Sequence, residues 1–206
     1  MSHDLFEIMR STRSMRRLKP DPIPDDVLRQ VLEAGTTAAN GGNMQTWRFL
    51  VIRDPATKAA AGAWYRKSWQ EIVGPRYRSA APAPGQSAEQ FARMLDAAQY
   101  LADHIHEAPV WIVPCAPGGR NAGSSIFPAV QNILLACRAL GLGCTLTTLH
   151  LNFEKDVEAA LGLPDDVHSY AILPIGYPMG KFGPVRRSPL EHVVYQDRWG
   201  EDYRSA

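Results

Sequence analysis

The chain has 206 residues, of which 45% are hydrophobic and 21% are charged. Both fractions are typical of a folded globular domain, so the composition excludes a disordered or fibrous protein. Lysine and arginine together number 22 against 21 acidic residues, which gives a net charge of +1. This balance argues against a protein specialised for nucleic acid or for a membrane surface, because both usually carry a strong basic excess.

The three cysteines, Cys115, Cys137 and Cys144, show neither an even count nor a CxxC spacing. This usage is typical of reduced thiols inside a cytoplasmic protein. The N-terminal segment has no apolar stretch behind positive charge, so it does not resemble a signal peptide. The longest uncharged run, 121–137, is too short and too polar to span a bilayer. We therefore expect a cytoplasmic protein without a membrane partner.

Helices and strands are predicted in mixed order along the chain. The first half is predicted to form helices at 5–9 and from Asp25 to Gly35, a strand at 47–53, a helix at 57–73, and a helix that Ser87 caps and that ends before Pro109. The second half is predicted to form strands at 110–115, 144–150 and 169–177, separated by helices at 126–140 and 153–162. Because helices outweigh strands and no repeat or second domain is visible, we predict one α+β domain over residues 1–206.

Residues 74–87 are rich in proline, glycine and serine, and we predict that they form a loop and the most mobile segment. Together with the end of the preceding helix, they make residues 64–87 the expected lid of a binding site. The aromatic side chains of this region either line the pocket or pack in the core, and the sequence favours neither reading. They are Trp64, Tyr65, Trp69 and Tyr77.

The predicted helix at 126–140 has almost no polar face. An amphipathic surface helix would show a polar stripe, so a helix of this kind must be covered on all sides. We expect it either inside the core or across a subunit interface.

Four arginines lie within eight residues near the N-terminus: Arg10, Arg13, Arg16 and Arg17. Clustered guanidinium groups suit a phosphate, because each can present two parallel N–H donors to it. The alternative interpretation is a solvated basic face.

Two loops contain glycines that permit close backbone approach. The segment 39–47 also carries Asn40, Asn43 and Gln45, whose amides could bind the edge of a planar ring, although an ordinary helix-to-strand loop has the same composition. The segment 116–125 fits neither GxGxxG nor GxxxxGKS, so we interpret it as a surface loop.

The sequence offers little support for metal or acyl-transfer chemistry. His104 and His106 are two residues apart and would point in different directions on a helix. The remaining histidines are isolated, with no HExxH or Cys/His ligand spacing, and no GxSxG surrounds a serine. We predict no metal site, and we expect a bound cofactor to carry the chemistry.

Four segments in consistent order resemble the FMN-dependent nitroreductase family. They are TRSMRRLKPDPIPDDVLRQVLEAG (12–35), AANGGNMQTWRFLVI (38–52), AVQNILLACRALGLGCTLTT (129–148), and LGLPDDVHSYAILPIGYP (161–178) followed by RRSPLEHVV. The family shows Arg-Arg-Ser-x-Arg, a PxP-containing link and a Pro-Ser-(Gly/Ser)-x-Asn-x-Gln-Pro-Trp turn in the first two segments. Roughly residues 56–108 lie outside the resemblance.

The resemblance implies a bound FMN. Arg13 would hold the phosphate with Ser14 as a hydroxyl donor, and Arg16 would lie beside the pyrimidine edge near N1 and O2. Arg187, with Arg186, would close on the phosphate from the C-terminal segment.

Two further groups of residues follow from the same resemblance. Asn40, Gly41, Asn43 and Gln45 match a turn that reaches the flavin from the other subunit. Thr147, Thr148 and Leu149 match a strand end beside flavin N5.

The chain departs from the family pattern at three places. Thr12 stands where the family has its first arginine, so one phosphate contact is lost from this position unless Arg10 replaces it. Ala39 and Asn40 replace Pro-Ser, and Thr46 replaces the proline before the tryptophan. We retain Thr12 in the expected binding set.

The implied fold is a central, mostly antiparallel sheet flanked by helices in an intertwined homodimer. The implied activity is hydride transfer from NADH or NADPH through FMN N5 to an electron-poor small molecule such as a nitroaromatic or a quinone. One alternative is a non-enzymatic flavin-binding protein. Another is a reductive dehalogenase, although the deiodinase type uses a lid Glu-x-x-x-Tyr, and neither Tyr65 nor Tyr77 has a glutamate four residues before it.

Overall fold

The computed structural model describes residues 4–83, 85–118 and 120–203; His3, residue 84 of the expected lid and residue 119 of the glycine-rich loop lie outside them. Within these residues the α-helices are α1 Leu5–Ser11, α2 Asp25–Thr36, α3 Pro55–Ser68, α4 Gly74–Arg78, α5 Ala88–His104, α6 Gly123–Ala139 and α7 Glu154–Ala160. The strands are β1 Arg48–Ile52, β2 Val110–Pro117, β3 Gly143–Cys144, β4 Val167–Ser169 and β5 Leu173–Gly176. None of the described helices is long and apolar enough to cross a membrane.

The five strands form one antiparallel sheet in the order β1-β2-β5-β3, with β4 also paired to β2. Side chains of β2 alternate between two apolar clusters, because successive residues of a strand face opposite sides. Ile112 packs in the cluster under α2 and α6, whereas Trp111 and Val113 pack in the cluster under α3, α5 and α7. The predicted α+β class, with an antiparallel sheet flanked by helices, is confirmed.

The strand predicted at 169–177 is interrupted. Residues 113 and 114 of β2 face three residues, 170–172, between the end of β4 and the start of β5. The extra residue is a β-bulge, which a continuous apolar pattern cannot reveal. Ile172, beside the bulge, forms a single bridge with Thr147.

The strand predicted at 144–150 is wrong over most of its length. Only Gly143–Cys144 pairs as a strand, Thr147 makes the isolated bridge, and a 3₁₀ turn begins at Leu149. The apolar alternation is correct, but strand pairing depends on distant partners, and β5 ends its ladder with β3 after two residues.

The loop predicted at 74–87 is wrong at its start. The α3 helix continues through one π-helical turn, Trp69–Val73, into α4, so Gly74–Arg78 is helical. Pro75 follows directly after the π turn, and the helix continues past it although proline has no N–H to donate. Gly74 permits the π turn, since a Cβ there would lie 2.6 Å from the Trp69 carbonyl oxygen.

The expectation that 126–140 is covered on all sides does not hold within one chain. Ile126, Val130 and Ile133 are buried, but Phe127 on the outer face is 43% exposed and Leu134 is partly exposed. The alternative of burial inside the core is therefore wrong, while burial across a subunit interface remains a prediction.

Residues 12–19 run along the sheet edge and position the N-terminal arginines. The Met15 N–H donates to the Cys144 carbonyl at 3.0 Å, and the Lys19 N–H donates to the Tyr177 carbonyl at 2.8 Å. Gly143 makes this approach possible, because a Cβ at this position would lie 2.8 Å from the Leu18 side chain. The arginine run is thereby fixed against β3.

Candidate functional site

A cavity of about 210 Å³ lies between α1, the end of α6 and the C-terminal segment. Its described lining includes three arginines and no carboxylate, so its charge is strongly positive. A small positive cavity of this kind suits an anion with several acceptor oxygens. The lining residues are Met9, Thr12, Arg13, Ser14, Gln131, Leu134, Arg138, Leu142, Cys144, Phe182 and Arg187.

A larger, open depression of about 750 Å³ lies beside α2 and β1. Its charges neutralise one another, since Arg53 pairs with Asp25 at 2.6 Å and Arg29 pairs with Glu33 at 3.0 Å. The smaller cavity is therefore the better candidate site despite its size.

Four of the expected site residues meet at the smaller cavity: Thr12, Arg13, Ser14 and Arg187 come from opposite ends of the chain and line it together. The Arg13 guanidinium and the Ser14 hydroxyl have no protein hydrogen-bond partner within the described residues. The Thr12 hydroxyl differs, because it already donates to the Ile8 carbonyl at 2.7 Å.

The C-terminal arginines occupy different positions. Arg187 lines the cavity and donates from Nη1 to the Arg186 carbonyl at 2.8 Å, which leaves most of its donors available. The Arg186 side chain is exposed and does not line the cavity.

Arg16 lies partly buried near Arg13, Tyr65 and Tyr77. Burial lowers the pKa of its guanidinium, nearby Arg13 lowers it further, and the two tyrosines oppose the change. Arg16 has no carboxylate partner in the part of the chain that the structure describes. A partly desolvated cation of this kind would be stabilised by a negatively charged ligand.

A buried hydroxyl pair lies close to Arg16. The Tyr65 and Thr147 hydroxyl groups are 2.9 Å apart, and Tyr65 is only 2% exposed. Burial raises the pKa of Tyr65 to about 12, so the phenol stays protonated at neutral pH. The hydrogen bond to Tyr65 therefore fixes the side chain of Thr147, one of the expected flavin contacts. Its neighbour Thr148 is exposed.

The expected lid divides between core and surface. Tyr65 and Trp69 are core residues, and the Trp69 indole N–H donates to Gln99 at 2.7 Å. Tyr77 is exposed and stacks on Trp69 at a centroid distance of 6.1 Å. Of these three aromatic residues, only Tyr77 reaches the surface beside Arg16.

The turn at 40–45 has an unusual backbone conformation that side-chain hydrogen bonds stabilise. Asn43 and Gln45 have φ values of 53° and 48°, in the left-handed region that favours glycine. The Asn40 amide oxygen accepts from the Gln45 N–H at 2.9 Å, and the Ser125 hydroxyl accepts from the Gly41 N–H at 3.2 Å. This turn is exposed and does not line the arginine cavity of its own chain.

His168, isolated in the sequence, lies beside two glutamates in the structure. Its Nδ1 is 3.3 Å from a Glu154 oxygen and 3.6 Å from a Glu158 oxygen. Glu158 also accepts from the Ser169 N–H at 2.6 Å and from the Ser169 hydroxyl at 2.8 Å. These contacts fasten α7 to β4.

Sequence reasoning missed Arg138 as a site residue. It is the one charged residue of α6, and its apolar neighbours in the sequence predict only that the helix is covered, inside the core or across a subunit interface. A single cation in an otherwise apolar helix is itself a signal, because arginine is rarely buried without a partner.

The sequence and the fold are similar to those of known proteins. The sequence matches the profile of the Nitroreductase family over residues 9–177. It is 32% identical to a protein named NADH dehydrogenase from Thermus thermophilus, across 88% of this chain and 90% of that protein.

Two solved structures share the fold. One is an oxidised iodotyrosine deiodinase bound to FMN and 3-iodo-L-tyrosine, with a TM-score of 0.72, 23% identity, and coverage of 95% of this chain and 99% of the other. The second is an FMN- and NADPH-dependent nitroreductase from Sphigopyxis sp. strain HMH, with a TM-score of 0.71, 20% identity, and coverage of 96% and 100%.

Proposed function

The chain belongs to the nitroreductase family, and on this premise we propose that it is an FMN-dependent oxidoreductase. It would use NADH or NADPH to reduce an electron-poor small molecule such as a nitroaromatic or a quinone. The observation that carries this proposal is the group of arginines without carboxylate partners within the described residues: Arg13 and Arg187 in the cavity and Arg16 beside it.

The residues present fit FMN at its phosphate end. A phosphate monoester carries nearly two negative charges at neutral pH and three strong acceptor oxygens. Arg13, Arg187 and the Ser14 hydroxyl offer donors of matching charge and number, and the described cavity lining holds no carboxylate that would repel the anion. We assign these three residues to the phosphate.

Arg16 fits the other end of the cofactor. When bound, FMN supplies the hydride-transfer chemistry itself. A guanidinium at the pyrimidine edge stabilises negative charge there and so favours the reduced cofactor. Partial burial strengthens this effect, since charges interact more strongly where water is excluded. Arg16 matches this role, because its guanidinium is partly buried and has no carboxylate partner among the described residues.

The Tyr65–Thr147 pair supports the same site from the protein side. The phenol of Tyr65 is protonated at neutral pH, and because it is buried and hydrogen-bonded to Thr147 it can hold the Thr147 hydroxyl in one orientation. We assign Thr147 to the flavin ring and Tyr65 to its positioning.

We also propose a homodimer. Several large apolar side chains are exposed on α1, on the outer face of α6 and in the C-terminal segment, and exposure of this extent marks an interaction surface. They are Leu5, Phe6, Met9, Phe127, Leu190, Val193 and Trp199, the last 89% exposed. Light scattering at micromolar concentration should give twice the chain mass, whereas a monomeric mass would contradict this part of the proposal.

The turn at 40–45 has features that suit a contribution to the site of the second subunit. Residues 41–45 are exposed, the backbone is strained at Asn43 and Gln45, and the turn does not line the cavity of its own chain. Strained backbone of this kind concentrates at functional sites. We propose that the Asn40, Gly41, Asn43 and Gln45 groups reach the flavin of the second subunit.

The proposal is tested by the visible absorption spectrum of purified protein, with FMN added if it is colourless. We expect a flavin spectrum that bleaches under anaerobic NADH or NADPH and returns when a nitroaromatic or a quinone is added. A bound flavin that neither nucleotide bleaches would instead support the alternative of a non-enzymatic flavin-binding protein. Recovery with 3-iodo-L-tyrosine but not with the other acceptors would indicate the dehalogenase alternative. A protein that refuses FMN would overturn the proposal.

A further inference from the structure

We propose that Arg138 is a third phosphate-binding arginine, which takes over the role left vacant by Thr12. This inference rests on the proposed function, because it assigns a residue of this chain to the FMN phosphate.

The two nearest candidates for the missing contact are unsuitable. Thr12 has a single hydroxyl proton, and this proton is donated to the Ile8 carbonyl at 2.7 Å. Arg10 does not line the cavity; its guanidinium lies over the Phe6 ring, 5.8 Å from the centroid. The N-terminal run therefore contributes only Arg13 and Ser14 as donors to the cavity.

Arg138 lines the same cavity from α6. Its Nε donates to the Ser11 hydroxyl oxygen at 2.9 Å, and its guanidinium carbon lies 4.4 Å from the centroid of the Phe182 ring. The Ser11 hydroxyl proton is used in turn on the Glu7 carbonyl at 2.8 Å, so the donor and acceptor roles are consistent. Both contacts fix the guanidinium plane without using its two terminal NH₂ groups.

The terminal NH₂ groups have no acceptor within the described residues, and Arg138 forms no ion pair there. A pre-oriented guanidinium with its bidentate edge free is well suited to a phosphate, because little side-chain entropy is lost on binding. With Arg138, the cavity presents three arginines to an anion of nearly two charges.

The test compares FMN with riboflavin, which lacks the phosphate, in fluorescence-quenching titrations of flavin-free protein. For Arg138→Gln we expect FMN to bind about 10- to 100-fold more weakly, as for the loss of a hydrogen bond to a charged group, while riboflavin affinity is unchanged. Arg10→Gln is the matched control from the same arginine cluster and should leave both affinities unchanged.

A second variant keeps the inference testable if Arg138→Gln folds poorly. Ser11→Ala removes the acceptor that orients Arg138, together with the donor to the Glu7 carbonyl, and should weaken FMN by a few-fold with riboflavin unaffected. In an Arg138→Gln background the same change should have no further effect, since both act through one guanidinium.

The outcomes separate the two proposals. Wild-type protein that binds neither flavin would overturn the proposed function. Wild-type protein that prefers FMN, with the same preference in Arg138→Gln, would overturn the role of Arg138 alone. An equal loss of FMN and riboflavin affinity would also overturn it, because that pattern indicates a structural residue.

Discussion

The four arginines of the N-terminal segment form two pairs: the inner pair, Arg13 and Arg16, lies at or beside the cavity, and the outer pair, Arg10 and Arg17, lies away from its lining. In the outer pair, Arg17 pairs with Asp96 at 2.7 Å and lies 4.3 Å from the Tyr100 ring centroid, and Arg10 lies over Phe6. In the inner pair, Arg13 and Arg16 have no such protein partners within residues 4–83, 85–118 and 120–203.

Structural and functional arginines of one cluster can be told apart by whether the protein itself supplies their partners. An arginine whose charge is already balanced stabilises the fold and gains little from a ligand. A partly buried arginine without an anion, such as Arg16, is costly in the free protein, and this cost is recovered when a ligand binds. The exposed Arg13 has its donors free for a ligand without this cost. The inner arginines are therefore expected to act on the cofactor and the outer ones on stability.

The largest effect is expected for Arg16→Ala. Loss of a preorganised cation should slow flavin reduction by NADH or NADPH about 100-fold, while the dissociation constant of FMN rises by only a few-fold. Stopped-flow absorbance and flavin titration measure the two effects, with Arg17→Ala as the matched control. A variant that loses FMN but reduces the remaining flavin at the normal rate would reverse our assignment of Arg16.

Next in size are the phosphate arginines. Arg13→Gln should weaken FMN binding about 10- to 100-fold and Arg187→Ala about 10-fold, because Arg187 already spends one donor on the Arg186 carbonyl. Riboflavin binding should not change in either variant. If riboflavin weakens as much as FMN, these residues do not bind the phosphate.

Tyr65→Phe tests the buried hydroxyl pair close to Arg16. At neutral pH the lost hydrogen bond to Thr147 should reduce the free energy of unfolding by about 1 kcal/mol. In the wild type, the raised pKa stabilises the folded state fully below pH 10, and this contribution of about 2–3 kcal/mol is lost as the pH rises towards 12.

Urea unfolding of both proteins between pH 8 and pH 11.5 measures this effect of Tyr65. The raised pKa of Cys115, about 12, contributes equally to both proteins and cancels in the difference. The variant should therefore lose less stability than the wild type above pH 10. Parallel losses would show that Tyr65 does not titrate in this way.

The smallest effect is expected for the outer pair. Arg17→Ala removes an exposed ion pair and a cation–π contact, and should lower the free energy of unfolding by about 1 kcal/mol. Flavin affinity and reduction rate should match the wild type. A strong loss of either would place Arg17 among the inner arginines.

Local chemistry made much of the fold predictable from the sequence. Ser87 and Gln90 form a capping box at the start of α5, and the periodic apolar pattern of α2 gives its length correctly. The β-bulge at 170–172 and the short strand β3 were not predictable, because both depend on pairing with distant β2 and β5. The π turn before α4 likewise continues a helix across a Gly74–Pro75 pair that usually ends one.

The candidate site was only partly predictable. The resemblance selected Arg13, Ser14 and Arg187, and the structure brings them to one cavity. Arg138 was not predicted as a site residue, because helical periodicity indicates only which face is buried. The contact of α6 with α1 that brings Arg138 to the cavity depends on the tertiary structure. The same holds for Tyr65, whose contact with Thr147 joins residues 82 positions apart.

The most direct test of the difference between inner and outer arginines is a crystal structure of the protein grown with FMN. We predict density for the phosphate against Arg13, Arg138 and Arg187, and for the pyrimidine edge of the ring against Arg16. A phosphate bound at Arg10 or Arg17, with the inner arginines in solvent, would contradict the account.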